Sequence, residues 1–549
     1  MPSSRRTRVA LLLYAFCSLY LLPVFPHFLS ANELTRWAAV AGLVDRGSLD
    51  VAWATPLIGP PMDVARHGAH LYSNKAPGLT FLSVPAYLVA RPFLGPPTTG
   101  NLRWSLTVMR IATVTLPGLL LGLLMARSTR DDSFAVVSLL FATPVFVFGT
   151  LYFSHVTAAA LLYGAYLLAL RAPAEPHPLG RAALAGFLAG LAVVTEYPAA
   201  LGVVILGAVL LFRPDRGRRL AAYVVGGVPW AVALALYNRA LFGSFVSIST
   251  ANEAAANLAA QNAHGIFRVA WPTWLGLSTI LTSPSRGLLF FSPVLVLGIV
   301  ALVPRSRRAP DAWFRFLFVL LLVVAMAGYP MPSGGWGVSA RYLILALPFI
   351  VEAAHDRGIV PGFLSTSLLA FSVVLCVVPA LTFPLAPDFF RFVHAGFSRP
   401  LLTAGFATPN LGSFVTPGLV SLLPVVLAAG VALAIGGAGS PRRTIAAAVV
   451  GVALAAGVVF APVQDTPMER ATRALFLDSY FRPEDRLGAL ARATSDPAER
   501  AQLEELRTLV PATRCVGPDD WPYGAAAMPV ARPWNDGPDG RWRDPGPLP

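Results

Sequence analysis

Lysine is nearly missing: of 42 basic residues only Lys75 is a lysine, and the other 41 are arginines. Charge of either sign is scarce. Charged residues make up 13% of the 549, against about 25% in a soluble domain, which excludes an ordinary soluble fold. The chain is 55% hydrophobic, and its apolar runs are long and uncharged, as bilayer-crossing helices of about 20 residues must be. Strands of a membrane barrel alternate apolar and polar residues, and these runs do not. Cysteine is limited to Cys17 and Cys376 in apolar runs and Cys515 near the end, which excludes a disulfide framework and any zinc-finger spacing.

What charge there is has a pattern. The net charge is +14, yet the stretch from Asp465 onward has 11 arginines against 14 acids, so the rest carries +17. That excess lies in short clusters between apolar runs: Arg5/Arg6/Arg8, Arg127/Arg130, Arg171/Arg181, Arg213/Arg216/Arg218/Arg219, Arg305/Arg307/Arg308, Arg357 and Arg442/Arg443. This is how cytoplasmic loops are marked, and it argues against a nucleic-acid partner. The N-terminal apolar run is too long, and lacks the small-residue site, for a cleaved signal peptide; it reads as a first span. Pairing the clusters predicts an all-α polytopic membrane protein of about 13 transmembrane helices. The spans fall near 9–29, 104–126, 132–152, 155–170, 182–196, 198–212, 220–239, 287–304, 312–329, 342–355, 360–382, 416–437 and 444–461. The N-terminus is then cytoplasmic and the C-terminus external. Two external loops are large, 30–103 and 241–286, and the apolar stretch 77–95, with Pro77, Pro85 and Pro92, reads as a helix lying in the interface. The tail 462–549 is external: 483–509 reads as two short polar helices, and the Pro-, Gly- and Asp-rich end as disordered.

Ionisable groups at a membrane boundary are costly and mark function. The first loop opens "ANELTRWAAVAGLVDRGSLDV", with Asn32 suited to cap a helix, Glu33 and Arg36 on one face, and a stop near Gly47. After a turn-rich run comes "MDVARHGAHLYSNKAPG", carrying Asp63, Arg66, His67, His70, Tyr72 and Lys75. By themselves Glu33 and Arg36 also fit a local surface pair, and His67 with His70 falls short of a metal ligand set.

"NELTRWAAVAGLVDRGSLDV…GAHLYSNKAPGLTFL" resembles the first external loop of the GT-C lipid-linked-sugar transferases, nearest to the lipid A aminoarabinose transferase group and the bacterial relatives of protein O-mannosyltransferases. In that family an acidic dipeptide precedes Arg-Tyr and a helix ending at Gly-Asp, and a Tyr-Phe-acid-Lys-Pro-Pro segment follows. Here Arg36-Trp37, Gly47-Ser48 and Tyr72-Ser73-Asn74-Lys75-Ala76-Pro77 stand at those points. The resemblance implies a catalytic carboxylate at Glu33 and a lysine, Lys75, against the donor phosphate. The dipeptide is reduced to Asn32-Glu33 and the stretch between the halves contributes Asp63, so either Glu33 or Asp63 stands as the base.

The implied reaction moves a sugar from a polyprenyl-phosphate donor to an envelope lipid, glycan or protein acceptor on the outer face of the inner (plasma) membrane, with inversion. It needs a base for the acceptor hydroxyl and cations for the departing phosphate. No cofactor is required, and a divalent metal is compatible but not indicated. A compact ammonium fits a crowded phosphate pocket where a planar guanidinium does not, which is one account of the single retained lysine; chance survival in the turn before Pro77 is the other. Arg341, after the glycine-rich "PSGGWGVSA", is the second expected cation, and Arg286 in "SPSRGLLFF" a third. Arg36 is expected to orient the carboxylate. His155 and Glu196, at two span tips, are orienting or substrate-binding candidates with His70 and Tyr72. Glu253 and His264 belong to the loop expected to cover the acceptor. The rival classes are a secondary transporter or flippase of lipid-linked sugars, against which the boundary position of the charges argues, and an inactive carrier-binding scaffold.

Overall fold

The computed structural model describes residues 4–24, 30–58, 63–98, 101–171, 177–254, 269–306, 309–416, 418–437, 440–480 and 484–513. Among them seven helices are long and apolar enough to cross a membrane: Leu102–Ser128, Pro178–Thr195, Arg216–Phe242, Pro310–Ala327, Phe363–Leu381, Leu419–Gly436 and Pro441–Val459. The chain is thus a multi-pass helical membrane protein. Gly78–Leu94, His155–Arg171 and Ala199–Leu210 are apolar but shorter.

Several expected spans are interrupted. The stretch 132–152 folds as Ser133–Phe141 and Val145–Phe148, and 287–304 as Leu288–Phe291 and Leu295–Ala301. Pro144 and Pro293 stand at the breaks, and proline disfavours helical geometry in the residue before it. A nine-residue helix covers about 14 Å, half of the roughly 30 Å hydrocarbon core. Residues 342–355 likewise begin as a 3₁₀ turn, Arg341–Ala346, before the helix Leu347–Asp356. The expected first span, 9–29, holds the helix Arg5–Tyr20 and then runs into residues outside those described.

Close backbone approach holds the long helices together. A Cβ on Gly186 would meet the Tyr223 carbonyl oxygen at 1.8 Å, and one on Gly226 would meet that of Ala183 at 1.9 Å. The helices Pro178–Thr195 and Arg216–Phe242 therefore touch through their glycines, the usual means of gaining dispersion contact where lipid removes the hydrophobic drive.

The helix His155–Arg171 carries charge clusters at both ends. At the Arg171 end, Arg171 bonds Asp311 at 3.1 Å and Asp356 at 3.0 Å, and Arg315 bonds Asp356 at 2.6 Å and the buried Glu352 at 3.4 Å. Tyr163 donates to Glu352 at 3.1 Å. At the other end lies the candidate site.

The expected all-α class needs one correction. Val64–His67 (β1) and His70–Ser73 (β2) form an antiparallel hairpin, with Val64 opposite Ser73 and His67 opposite His70. Its two-residue turn is Gly68-Ala69, and Gly68 takes φ +60°, as the first position of a Gly-X hairpin turn requires. Residues near the C-terminus form the helices Pro467–Tyr480, Arg486–Ala493 and Pro497–Thr513. These three pack around Leu475, Leu487 and Leu503, while Phe476 sits in a ring cage with Phe383 at 4.8 Å and Phe397 at 5.7 Å.

Candidate catalytic site

Glu33 lies in the first turn of the helix Ala31–Arg46, which starts one residue before Asn32 and stops at Gly47, φ +66°. Its side chain turns inward and is 4% exposed. Oε1 accepts a 2.7 Å hydrogen bond from the Tyr152 amide, and Oε2 accepts none among the described residues. Burial pushes the carboxyl up to about 7, against the Tyr152 amide and the charges of Arg110 and Arg36.

Arg36 is expected to pair with Glu33 along the helix, and it does not. Its Nη2 donates to Ser154 Oγ at 3.0 Å and its Nη1 reaches the Asn32 carbonyl at 3.5 Å; no ion pair joins it to Glu33. Ser154 in turn donates to Glu196 Oε2 at 2.5 Å, and His155 Nδ1 stands 3.2 Å from the same oxygen. Burial would raise the Glu196 carboxyl, but His155, Ser154 and Arg36 hold it down to about 2. The two span-tip residues and the loop arginine thus meet in one buried network.

The hairpin brings Asp63 and Lys75 together. Asp63, φ +56°, precedes β1, and its carbonyl accepts from the Asn74 amide at 3.1 Å, one rung beyond the ladder. The Lys75 ammonium then lies 3.0 Å from Asp63 Oδ2, with side chains 20% and 27% exposed. Burial works to raise the Asp63 carboxyl, but Lys75, then Arg341 and Arg36, hold it below the usual carboxylate range. Lys75, Arg36 and Arg341 are therefore all within electrostatic reach of Asp63.

The loop 241–286, expected to cover the acceptor, fastens this hairpin through its described residues. Asn74 Nδ2 donates to both carboxylate oxygens of Glu253 at 2.9 Å, and Ser249 Oγ donates to the Asn74 carbonyl at 3.0 Å. Ala65 and Glu253 form an antiparallel bridge. His264 lies outside the described residues.

Arg341 has its guanidinium 5.1 Å from the centre of the Phe153 ring and 5.4 Å from that of Tyr342, a cation–π arrangement. It makes no side-chain hydrogen bond or ion pair among the described residues. Arg286 differs: it is 1% exposed, and its Nη groups donate to the carbonyls of Ser285 at 2.8 Å, Gly335 at 3.2 Å and Ala386 at 3.0 Å. His70 and Tyr72 engage other partners, His70 with Asp50 at 2.7 Å and Tyr72 edge-on to Phe242 at 5.8 Å.

Tyr152, Ser154 and Arg110 are not singled out by sequence reasoning. Arg110 lies within Leu102–Ser128 and donates to the carbonyls of Leu21, Thr150 and Ser18 at 2.9, 2.9 and 3.1 Å; a charge inside an apolar run is itself the available signal. Tyr152 acts through its backbone amide, for which side-chain identity gives no sign. No group of three or more His, Cys, Asp and Glu side chains able to hold a metal occurs among the described residues.

No protein-family model and no curated protein sequence matches the chain. Among solved structures it is similar to ArnT of Cupriavidus metallidurans, in the apo state (16% identity, TM-score 0.45) and bound to undecaprenyl phosphate (15%, 0.48), in each case over 90% of this chain and 80% of that one. It is also similar to the apo oligosaccharyltransferase of Archaeoglobus fulgidus (13% identity, TM-score 0.39), over 88% of this chain and 59% of that one. These structural neighbours are membrane glycosyltransferases of the GT-C fold.

Proposed function

We propose that the chain transfers a sugar from a polyprenyl-phosphate donor to an acceptor hydroxyl at the external face of the plasma membrane, inverting the anomeric carbon. The observation that carries this reading is a linked set of charges at one end of the helices: Arg36 acts on the buried carboxyl of Glu33 and on Asp63, and Asp63 in turn pairs with Lys75 and feels the charge of Arg341, with all but Arg341 on the loop whose sequence resembles that of lipid-linked-sugar transferases.

Glu33 is the base in this reading. A carboxyl raised to about 7 is matched to proton transfer at neutral pH, and Oε2 has a lone pair to spare. Asp63, held low by its ammonium partner, suits a different role, which is to fix Lys75 until a phosphate competes for it. In the transfer, the acceptor oxygen forms its bond to the anomeric carbon as that carbon's bond to the phosphate oxygen breaks. The hydroxyl proton passes to Glu33, and the bond electrons leave with the polyprenyl phosphate, whose growing negative charge Lys75 and Arg341 stabilise. No leaving-group acid is needed, and the reaction as proposed calls for no cofactor. Ser154, Glu196 and His155 form the wall that holds Arg36 in the field of Glu33 and Asp63.

The test is sugar release from labelled polyprenyl-phosphate sugars by the purified chain in lipid nanodiscs. Release that depends on protein and is lost in Glu33→Gln supports the reading. Movement of intact donor across a bilayer without cleavage would assign the chain to the transporters instead.

A further inference from the structure

We propose that Arg286 is a positioning residue for Arg341, acting through the glycine loop 334–337, and that the helix Pro467–Tyr480 braces that loop from a second direction. This rests on the reading of Arg341 as a ligand of the lipid phosphate.

Gly334, Gly335 and Gly337 take φ of +72°, +73° and +156°, conformations that glycine reaches cheaply but at the largest entropic cost on ordering. Two local bonds hold the start of the loop, from the Gly334 amide to the Met331 carbonyl at 3.0 Å and from the Gly335 amide to Ser333 Oγ at 3.3 Å. Further fixation comes from outside the turn. Arg286 Nη2 grips the Gly335 carbonyl at 3.2 Å and the Ala386 carbonyl at 3.0 Å, and the Gly337 amide donates to that same Ala386 carbonyl at 3.0 Å. Trp336 lies 6.4 Å, ring to ring, from Phe476 of the C-terminal helix. That helix is itself tied down through Glu469, which accepts from the Arg391 amide at 3.0 Å.

What the loop touches is Arg341. A Cβ on Gly334 would lie 3.0 Å from Arg341 Nε and 3.3 Å from Tyr342 Cε2, so the loop backbone forms one wall of the arginine's channel while the rings of Phe153 and Tyr342 form another. A guanidinium with no hydrogen-bond partner among the described residues is aimed by these walls. Arg286, nearly fully buried and bonded to three carbonyls, could contact a phosphate only by releasing the loop. Its charge therefore serves Arg341, and the C-terminal helices are part of the same support.

The test is a double-mutant cycle on the full chain in nanodiscs, reading affinity for undecaprenyl phosphate together with amide hydrogen exchange across 333–340. Arg286→Gln and Phe476→Leu should each speed exchange in the loop and weaken lipid binding by about tenfold, the scale of one charged contact. Arg341→Ala should weaken binding at least as much, and either double variant should bind no worse than Arg341→Ala alone, because both losses pass through one side chain. Additive losses would mean that Arg286 meets the phosphate itself, and unchanged exchange in both single variants would mean that neither braces the loop; each overturns the proposal. Phe476→Leu keeps the cycle readable if Arg286→Gln fails to fold. If the wild type binds no lipid phosphate while Arg286→Gln still speeds exchange, the phosphate reading of Arg341 fails and the bracing of its loop stands.

Discussion

The Lys75 ammonium stands 3.0 Å from Asp63 Oδ2 because a four-residue-per-strand hairpin folds residue 63 back onto residue 74. The pair is partly open to solvent, and its carboxylate lies in the field of Arg36 and Arg341. A point charge with three rotatable donors can leave Asp63 for a phosphate oxygen without moving the hairpin, whereas a planar fork has fixed directions. Lys75→Arg keeps the charge but misplaces the donors, and is accordingly expected to lower transfer by roughly 100-fold, the lower end of the scale for losing one preorganised donor. Steady-state rates with a polyprenyl-phosphate sugar, against an unchanged thermal midpoint, check this.

Glu33 gives a stability expectation independent of any substrate. Its carboxyl is raised from 4.5 to about 7 by burial, so the folded state holds the proton more tightly than the unfolded chain. The resulting stabilisation is complete below about 4.5 and is lost as pH rises through about 7, a swing of about 3 kcal/mol. Glu33→Gln should remove that dependence and be more stable than the wild type above pH 7. Thermal unfolding of both proteins at acid and alkaline pH is the measurement; parallel curves would contradict the burial of a titrating carboxyl.

Much of the membrane character was legible from charge scarcity and uncharged runs alone, as with Arg216–Phe242 and Phe363–Leu381. Less legible were runs such as 132–152, equally apolar in composition but broken around Pro144, since hydropathy counts side chains and not the backbone bonds that proline removes. At the site, the motif led to Glu33, Arg36, Asp63 and Lys75. The hairpin was missed because "VARHGAHLYS" has only one turn glycine and little alternation. The partner of Arg36 was missed because Ser154 and Glu196 lie more than a hundred residues away in sequence, where spacing carries no information. Arg286 and Arg341 looked alike in the sequence, each following a turn at a span boundary; only the carbonyls around Arg286 distinguish them.

The charge cluster at the Arg171 end is expected to matter for folding rather than turnover. Arg315 and Arg171 face the fully buried Glu352 at 3.4 and 3.5 Å, and removing one partner of a buried pair leaves an uncompensated charge. Because Arg171 still faces Glu352 at 3.5 Å, Arg315→Met should destabilise by less than the roughly 3–5 kcal/mol of a wholly unpaired buried charge. The double variant Arg315→Met/Glu352→Leu should recover part of the loss. Unfolding midpoints of the two variants, with per-molecule activity of the folded fraction unchanged, test this.

The central claim is that Glu33, and not Asp63, takes the acceptor's proton. The pH dependence of kcat/KM for sugar transfer, from about pH 5 to about pH 9, separates them, since such a profile reports the free enzyme's essential base. With Glu33 as base, the rate should climb through about pH 7 and level off above it, following its raised carboxyl. A rate already flat at pH 5, as the depressed Asp63 carboxyl would give, would contradict the assignment.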